Sequence, residues 1–393
     1  MRSQRPRLRI AYFTDTYAPE VNGVTNTLSQ LGSYLDRQHY QQIVFAPAYD
    51  EKSPGNFSDH RKVCSFKGIT TSLAPKSRLA FPAFWEIDGI CDSFKPDIVH
   101  VTTELGIGFR GMRYALTRNI PLVMSFHTDY CKYLKYHNLE VMRPFAENYL
   151  SWFHSFSART LVPSQHSLEE LFNKGYRNLA LWSRGIDTSC FNPGYRSEQV
   201  RNELGKGKFI FLYVGRLSKE KNLEMLLYAA SEIECRFPDK AAFVFTGDGP
   251  YTEVILRRRL SNVVCTGFKR GKELSAIYAS ADCFAFPSGT ETFGNVVLEA
   301  MASGLPVVAV ASGGVTDFLV PNRNSLLCAD EDQKSFTEKL VSIIGNENLR
   351  SRLASDAKKT ALSRDWNHIF DGLIETYETV IEEYQQRLFR RTA

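Results

Sequence analysis

Short β-rich runs alternate with helix-length segments along nearly the whole chain, and they do so in two separate series. In the first half the strand candidates are residues 8–13, 42–46, 97–102, 122–126, 160–162 and 179–182. Parallel strands need a crossover of a dozen or more residues, and most of these gaps are long enough to hold a helix. The spacing therefore predicts βαβ units and a parallel sheet with helices on its faces. A linker follows at residues 187–197, marked by Pro193-Gly194. The second series then runs through 209–214, 243–246, 263–265, 283–286, 307–310 and 326–328. The expected architecture is α/β, with two Rossmann-like, doubly wound parallel-sheet domains over residues 1–190 and 191–365 and a closing helix over 366–393. In that helix Trp366, Ile369, Phe370, Leu373, Ile374, Tyr377, Val380, Ile381, Tyr384 and Leu388 recur at three- and four-residue spacing. This is the pattern of a helix docked on a core.

A chain of 393 residues holds two such domains at ordinary size. Its longest apolar runs, such as residues 305–311, fall far short of the ~20 residues of a membrane span. The basic start up to Arg9 leads into no apolar stretch of the secretory type, so a cytoplasmic protein is expected. Eight cysteines are scattered singly with no Cys-x-x-Cys, which argues against a disulfide or zinc framework. The nearest metal-like grouping is His127, Cys131 and His137, which lacks a fourth ligand at suitable spacing. Asp330-Glu331-Asp332 reads as a helix N-cap. No catalytic metal and no cofactor are expected.

The net charge of +5 is unevenly placed: up to residue 190 there are 22 Lys and Arg against 17 Asp and Glu, whereas the remainder carries 26 of each. That excess suits an anionic membrane surface or another acidic partner. Two segments of the first half mix basic and aromatic side chains as a lipid interface does. One is residues 76–85, with Lys76, Arg78, Phe81, Phe84 and Trp85; the other is residues 132–156, with Lys132, Tyr133, Lys135, Tyr136, Arg143, Tyr149, Trp152 and Phe153. A buried helix with one wet face gives the same pattern.

Ligands of doubly wound sheets sit at the carboxyl ends of the strands. In the second series those ends carry Gly215-Arg216, Gly247-Asp248-Gly249, Gly267-Phe268 and Ser288-Gly289. Directly downstream, Glu291 and Glu299 straddle a Phe293-Gly294 turn that runs into a short helix. If all helical, that spacing separates the carboxylates by about 12 Å. Carboxylates that share one glycosidic bond stand only about 5–9.5 Å apart. The pair suits two ends of one long polar ligand. Between them, the amides of Phe293, Gly294 and Asn295 at a helix N-terminus suit an anion. Hydroxyls at both ends with phosphates between describe a nucleotide-sugar. Arg216 and Lys221 add a planar fork and a point charge for a diphosphate.

In the first half, Gly23 lies in a loop that leaves a strand and lets backbone approach a ligand closely. His127, also at a strand end, either donates to or takes a proton from a hydroxyl, or is structural. Gly106-x-Gly108-x-x-Gly111 matches the dinucleotide fingerprint but follows a middle strand, not the first. It is read as a helix-packing turn, with a nicotinamide or flavin site as the alternative.

Taken together, Glu291-x7-Glu299, Gly215-Arg216 with Lys221, Asn22-Gly23-Val24 and Pro96-Asp97-Ile98-Val99-His100 resemble glycosyltransferase family 4. These are retaining transferases of the GT-B fold, and the resemblance runs essentially end to end. Phe126-His127-Thr128-Asp129 and Ser183-Arg184-Gly185-Ile186-Asp187-Thr188 look most like bacterial mannosyl-, glucosyl- or sulfoquinovosyltransferases that glycosylate lipids. The resemblance implies an acceptor domain and a donor domain facing a cleft, with the C-terminal helix returning to the first domain. It implies that Arg216 and Lys221 neutralise the donor diphosphate. Glu291 would bind the sugar hydroxyls beside the Phe293, Gly294 and Asn295 amides, and Glu299 the ribose close to Val297 and Leu298. Backbone at Gly267 and Phe268 would meet the base, Gly23 the phosphate, and His127 the reacting sugar. Where the family has paired glycines in its first loop, this chain has Asn22-Gly23, as the lipid-glycosylating branch also does.

The function expected is retaining transfer of a hexose from GDP-mannose or a UDP-sugar to an acceptor hydroxyl of a membrane lipid. The place expected is the inner face of the cell membrane, with no nucleic-acid partner. Alternatives are a soluble sugar or small-metabolite acceptor, a nucleotide-sugar 2-epimerase, a phosphorylase, and a non-catalytic nucleotide-sugar sensor.

Overall fold

The computed structural model describes residues 7–49, 58–71, 74–131, 134 and 139–392. Lys132, Tyr133, Lys135, Tyr136, His137 and the side chain of Lys76 therefore lie outside the described residues. The chain divides into two compact units, one holding residues up to Cys131, Leu139–Ser183 and Asn367 onward, the other Arg184–Trp366.

The first unit is built on eight strands: β1 (Arg9–Phe13), β2 (Gln41–Ala48), β3 (Arg61–Thr71), β4 (Ala74–Ala80), β5 (Ile98–Val101), β6 (Leu122–Ser125), β7 (Arg159–Val162) and β8 (Leu179–Leu181). Their order is β4-β3-β2-β1-β5-β6-β7-β8. Strand β1 is buried from Ile10 to Phe13 because helices cover both faces, so it reads as a continuous apolar run. Phe13 stacks on Phe45 of β2 at 4.4 Å.

The sheet is parallel, as expected, except at one edge, where β4 pairs antiparallel with β3. Neither strand announces itself in the sequence. Arg61, Lys62 and Lys67 interrupt β3, which is only partly buried and so lacks the unbroken apolar run of the inner strands. Half of the basic-aromatic segment at residues 76–85 is thus strand. Its Phe84 lies beneath the guanidinium groups of Arg110 and Arg113, at 4.0 and 4.3 Å.

The glycine fingerprint opens the helix Gly106–Arg118 and is a packing device. A Cβ at Gly108 would come within 1.8 Å of the Thr103 carbonyl oxygen, and one at Gly111 within 2.3 Å of the Phe13 ring. At the helix start, the Ile107 amide donates to Asp15 Oδ1 at 2.7 Å and the Thr103 hydroxyl to Asp15 Oδ2 at 2.7 Å. The position a dinucleotide phosphate would take is filled by the chain's own carboxylate. Burial holds that carboxyl above its ordinary pKa against the hydrogen bonds it accepts.

The closing helix, Trp366–Thr392, packs on this first unit, as the resemblance implied. Its Tyr377 hydroxyl lies 2.5 Å from His100 Nδ1 and 3.2 Å from the Tyr12 hydroxyl, all three buried. Arg159 pairs with Glu383 at 2.7 Å further along.

The second unit carries six strands: β9 (Phe209–Val214), β10 (Ala241–Thr246), β11 (Val263–Gly267), β12 (Cys283–Phe286), β13 (Val307–Val310) and β14 (Ser325–Cys328). All pair in parallel, in the order β11-β10-β9-β12-β13-β14. Sequence order reverses between β9 and β12, and the crevice outside such a switch point is where doubly wound sheets bind ligands.

Candidate active site

Two loops meet at that switch point. The first leaves β9 at Gly215 and passes into a 3-10 turn, Lys219–Lys221. It is seated on the loop after β10, with the Leu217 amide donating to Asp248 O at 3.0 Å and the Tyr251 amide to Leu217 O at 2.9 Å. Lys221 is buried within this support, whereas Arg216 stands exposed above it. The second loop leaves β12 and carries Ser288 and Glu291.

Lys221 Nζ lies 2.5 Å from Glu291 Oε1, and the Ser288 hydroxyl donates to the same oxygen at 3.1 Å. Burial alone would raise the Glu291 pKa. The Lys221 charge and hydrogen bond, with Ser288 and Arg216, outweigh it and hold the carboxyl below its ordinary value. Glu291 is therefore ionised at neutral pH, and 21% of its side chain stays open to an incoming ligand.

The loop after β13 clamps this segment from behind, a feature the sequence reading missed. The Gly314 amide donates to Glu291 O at 2.8 Å and the Ser312 hydroxyl to Gly289 O at 2.9 Å. A Cβ at Gly314 would stand 2.1 Å from Thr292 O. Ser312-Gly313-Gly314 is one more polar, glycine-rich strand end, so the rule that flagged its four neighbours could have found it.

Gly294, at φ +96°, is the N-cap of the helix Asn295–Ala302. Only Glu299 of the glutamate pair thus lies on the helix. Phe293, Val297 and Leu298 bury their side chains, so backbone is what they offer a ligand. Glu299 sits in a different environment from Glu291. The Tyr278 hydroxyl, 2.9 Å from Glu299 Oε2 and 3.2 Å from Val296 O, donates to one or the other. Burial pushes the Glu299 carboxyl up to about 7, with Tyr278 opposing. Tyr278 is a second contact that no local motif signals.

Two strands from β9, β11 ends at Gly267, whose carbonyl accepts from the Gly247 amide at 3.0 Å. Phe268 beyond it is 55% exposed, a flat apolar face beside the rim. The second unit thus gathers Arg216, Lys221 and Glu291, leads on through Phe293, Gly294, Asn295, Val297 and Leu298 to Glu299, and sets Gly267 and Phe268 further along the same edge.

Gly23 and His127 belong to the first unit. Gly23 opens the helix Gly23–Arg37, and Asn22 is its N-cap, accepting from the Val24 and Thr25 amides at 3.0 and 2.9 Å. Asparagine in place of the family's glycine thus has a structural use. His127 is buried, with its ring edge-on to Trp182 at 5.7 Å. Among the described residues, no three His, Cys, Asp or Glu side chains are grouped to hold a metal. Asp332 accepts from the Ser335 amide at 3.0 Å and so caps a helix.

Two doubly wound units with a polar rim on the second define a nucleotide-binding α/β protein, and its likeness to solved structures gives the fold. A sucrose-phosphate synthase from Thermosynechococcus elongatus matches with a TM-score of 0.78 at 18% identity, over 96% of this chain and 100% of that one. The fold is GT-B. The model of Glycosyltransferase Family 4 matches residues 21–189, and that of Glycosyl transferases group 1 matches residues 196–360. A GDP-mannose-dependent alpha-mannosyltransferase of Mycolicibacterium smegmatis is 32% identical over 378 residues, covering 95% of this chain and 98% of its own. An alpha-monoglucosyldiacylglycerol synthase of Streptococcus pneumoniae is 28% identical over 317 residues, 77% of this chain and 71% of its own. The chain belongs to glycosyltransferase family 4. It is a retaining hexosyltransferase with a nucleotide-sugar donor.

Proposed function

We propose that the rim of the second unit holds the donor and that the acceptor is a membrane lipid. The observation that carries the donor assignment is the ion pair between Lys221 and Glu291 at the switch point. A lysine and an ionised carboxylate locked together there offer a cation to a diphosphate and an acceptor to the adjoining sugar hydroxyls. Arg216 adds a second, solvent-facing cation. The Phe293, Gly294 and Asn295 amides complete the anion site, Glu299 takes the ribose diol, and Gly267 with Phe268 borders the base. From the first unit, Gly23 is assigned to the phosphate and His127 to the reacting sugar, on the resemblance alone.

In this reading the bond from the anomeric carbon to the diphosphate oxygen breaks, with its electrons going to the phosphate. Arg216 and Lys221 offset the charge that develops. The acceptor hydroxyl bonds to the anomeric carbon on the face the nucleotide leaves, and its proton passes to the departing phosphate oxygen. No enzyme carboxylate is bonded to the sugar in this route. A glycosyl-enzyme adduct detected by mass spectrometry would contradict it.

The donor in one relative's name supports GDP-mannose, with a UDP-hexose as the alternative. The diacylglycerol in one relative's name supports a lipid acceptor. In this chain the first unit supplies a face that fits. The helix Arg143–His154 buries Phe153 and Leu150 but exposes Phe145 and Trp152, seven residues apart and so on one side of the helix. Together with the basic excess of the first half, this face is proposed to rest on the inner, anionic surface of the membrane. No helix among the described residues is long and apolar enough to cross one. Hexose transfer from GDP-mannose and from UDP-sugars onto extracted lipids tests the assignment. Transfer only to soluble acceptors would refute the lipid half.

A further inference from the structure

Arg364 occupies the short turn between the helices Glu347–Leu362 and Trp366–Thr392, far in sequence from every motif described above. Its guanidinium carbon lies 5.6 Å from the centre of the Phe293 ring and 5.2 Å from that of Phe318. Those two rings are themselves 5.2 Å apart, inclined at 36°, and both are buried. A planar cation against two aromatic faces is an arrangement that arginine makes and lysine reproduces only in part. Burial draws the Arg364 pKa down, with Asp317 as the opposing charge.

Each partner matters to the donor rim. Phe293 stands two residues after Glu291 and directly before the N-cap Gly294. Phe318 ends the 3-10 turn that starts at Gly313, beside the Gly314 amide that grips the Glu291 carbonyl. The backbone of Arg364 points to a different place. Its carbonyl accepts from the Ile186 amide at 3.0 Å, where the chain enters the second unit. A Cβ on the neighbouring Gly185 would be 2.7 Å from the Trp366 ring, so entry and exit segments are packed tightly together.

We infer that Arg364 is a positioning residue for the donor loop, holding the Glu291–Gly294 segment through Phe293 and Phe318 and joining it to the paired segments where the chain enters and leaves the second unit. Arg364 touches neither donor nor acceptor in this scheme. It acts by fixing the Glu291 carboxylate that meets the sugar and the neighbouring amides that complete the anion site, whereas the two cations, Arg216 and Lys221, are carried by the separate loop after β9. This inference rests on the proposed donor site.

The test uses the full chain with Arg364→Met, Arg364→Lys and Glu291→Gln, and reads three quantities: affinity for the free nucleoside diphosphate, kcat with the nucleotide-sugar, and Tm. Misplacing a sugar-binding group by a fraction of an ångström is expected to cut kcat in Arg364→Met by about tenfold to a hundredfold. The same variant should lose clearly less diphosphate affinity than kcat, because Arg216 and Lys221 still supply both cations from the loop after β9 while the reacting geometry is displaced. Arg364→Lys should fall between Arg364→Met and the parent. Should Arg364→Met fail to fold, Phe318→Leu removes one wall of the stack and should show the same split between kcat and affinity.

Unchanged kcat overturns the inference. So does a parallel loss of diphosphate affinity, kcat and Tm, which would mean general loosening of the core. Full activity in Glu291→Gln overturns the site reading beneath it, whereas an inactive Glu291→Gln beside an intact Arg364→Met sinks this inference alone.

Discussion

Two glycine-bearing loops in this protein follow a parallel strand and open a helix, and they have opposite fates. In the first unit, Gly106-x-Gly108-x-x-Gly111 has the spacing of a dinucleotide site, yet Asp15 fills its helix N-terminus and Thr103 closes over Asp15. In the second unit, the loop from Glu291 to Asn295 has no such fingerprint. Its carboxylate is turned aside into a pair with Lys221, and the Gly294 N-cap brings no side chain of its own to the helix end. Glycine spacing reports that backbone comes close to something. Which group occupies the helix end decides whether that something is the protein or a ligand.

The contrast is sharpest at the Lys221–Glu291 pair. Removing either side chain, by Lys221→Ala or Glu291→Ala, should lower turnover by around 10²–10³, the range seen when a charge-stabilising group is lost. Steady-state kinetics with the preferred nucleotide-sugar checks this, and full activity in either variant would break the comparison.

On the other side, Asp15→Ala leaves the buried Ile107 amide and Thr103 hydroxyl without their acceptor. Chemical denaturation should show a loss on the order of 1–3 kcal/mol, with nucleoside diphosphate affinity untouched. If stability held and the variant bound a nicotinamide dinucleotide, the first loop would be a ligand site after all.

Glu299 offers a pH test. Its folded pKa of about 7 lies above the ordinary carboxylate value. Burying its charge therefore destabilises the apo fold: its contribution to stability is best below the ordinary carboxylate pKa and is lost as pH rises through 7. Ribose hydroxyls donate to the ionised form, so nucleotide binding should expel a proton. Affinity should weaken about tenfold from pH 8 to pH 6 if ionisation is required. Titration calorimetry in buffers of different ionisation heat reads both effects. Glu299→Gln should flatten the profile, and Tyr278→Phe should move it to higher pH by removing the hydrogen bond that opposes the shift. A flat profile in the parent would contradict the ribose assignment.

The smallest effect concerns the membrane face. Trp152→Ser and Phe145→Ser should reduce binding to anionic vesicles at low salt while leaving transfer to a detergent-dispersed lipid unchanged. Binding by the parent should fall as salt is raised. Parent protein that ignores vesicles at low salt would remove this surface from the account.

Much of the fold is legible in the sequence for one reason. Parallel strands buried on both faces are unbroken apolar runs, and β9, β12 and β13 are readable residue for residue. Strands β3 and β4 are not, because most of β3 stays partly open to solvent, which lets Arg61, Lys62 and Lys67 replace apolar residues there. The candidate site divides in the same way. Arg216, Lys221, Glu291 and Glu299 stand in local polar motifs. Tyr278 reaches Glu299 from 21 residues away, and Arg364 acquires meaning only when the fold brings it to Phe293. The dinucleotide fingerprint shows the converse, since its occupant, Asp15, lies 92 residues before Ile107.

The measurement that bears most directly on the donor rim is thermal stabilisation of the parent and of Lys221→Ala by a panel of nucleoside diphosphates and their sugars. One nucleotide family should raise the parent's Tm clearly, by linkage of binding to folding, and Lys221→Ala should lose most of that rise. No shift with any nucleotide, or an equal shift in Lys221→Ala, would mean that the second unit's rim is not where the donor binds.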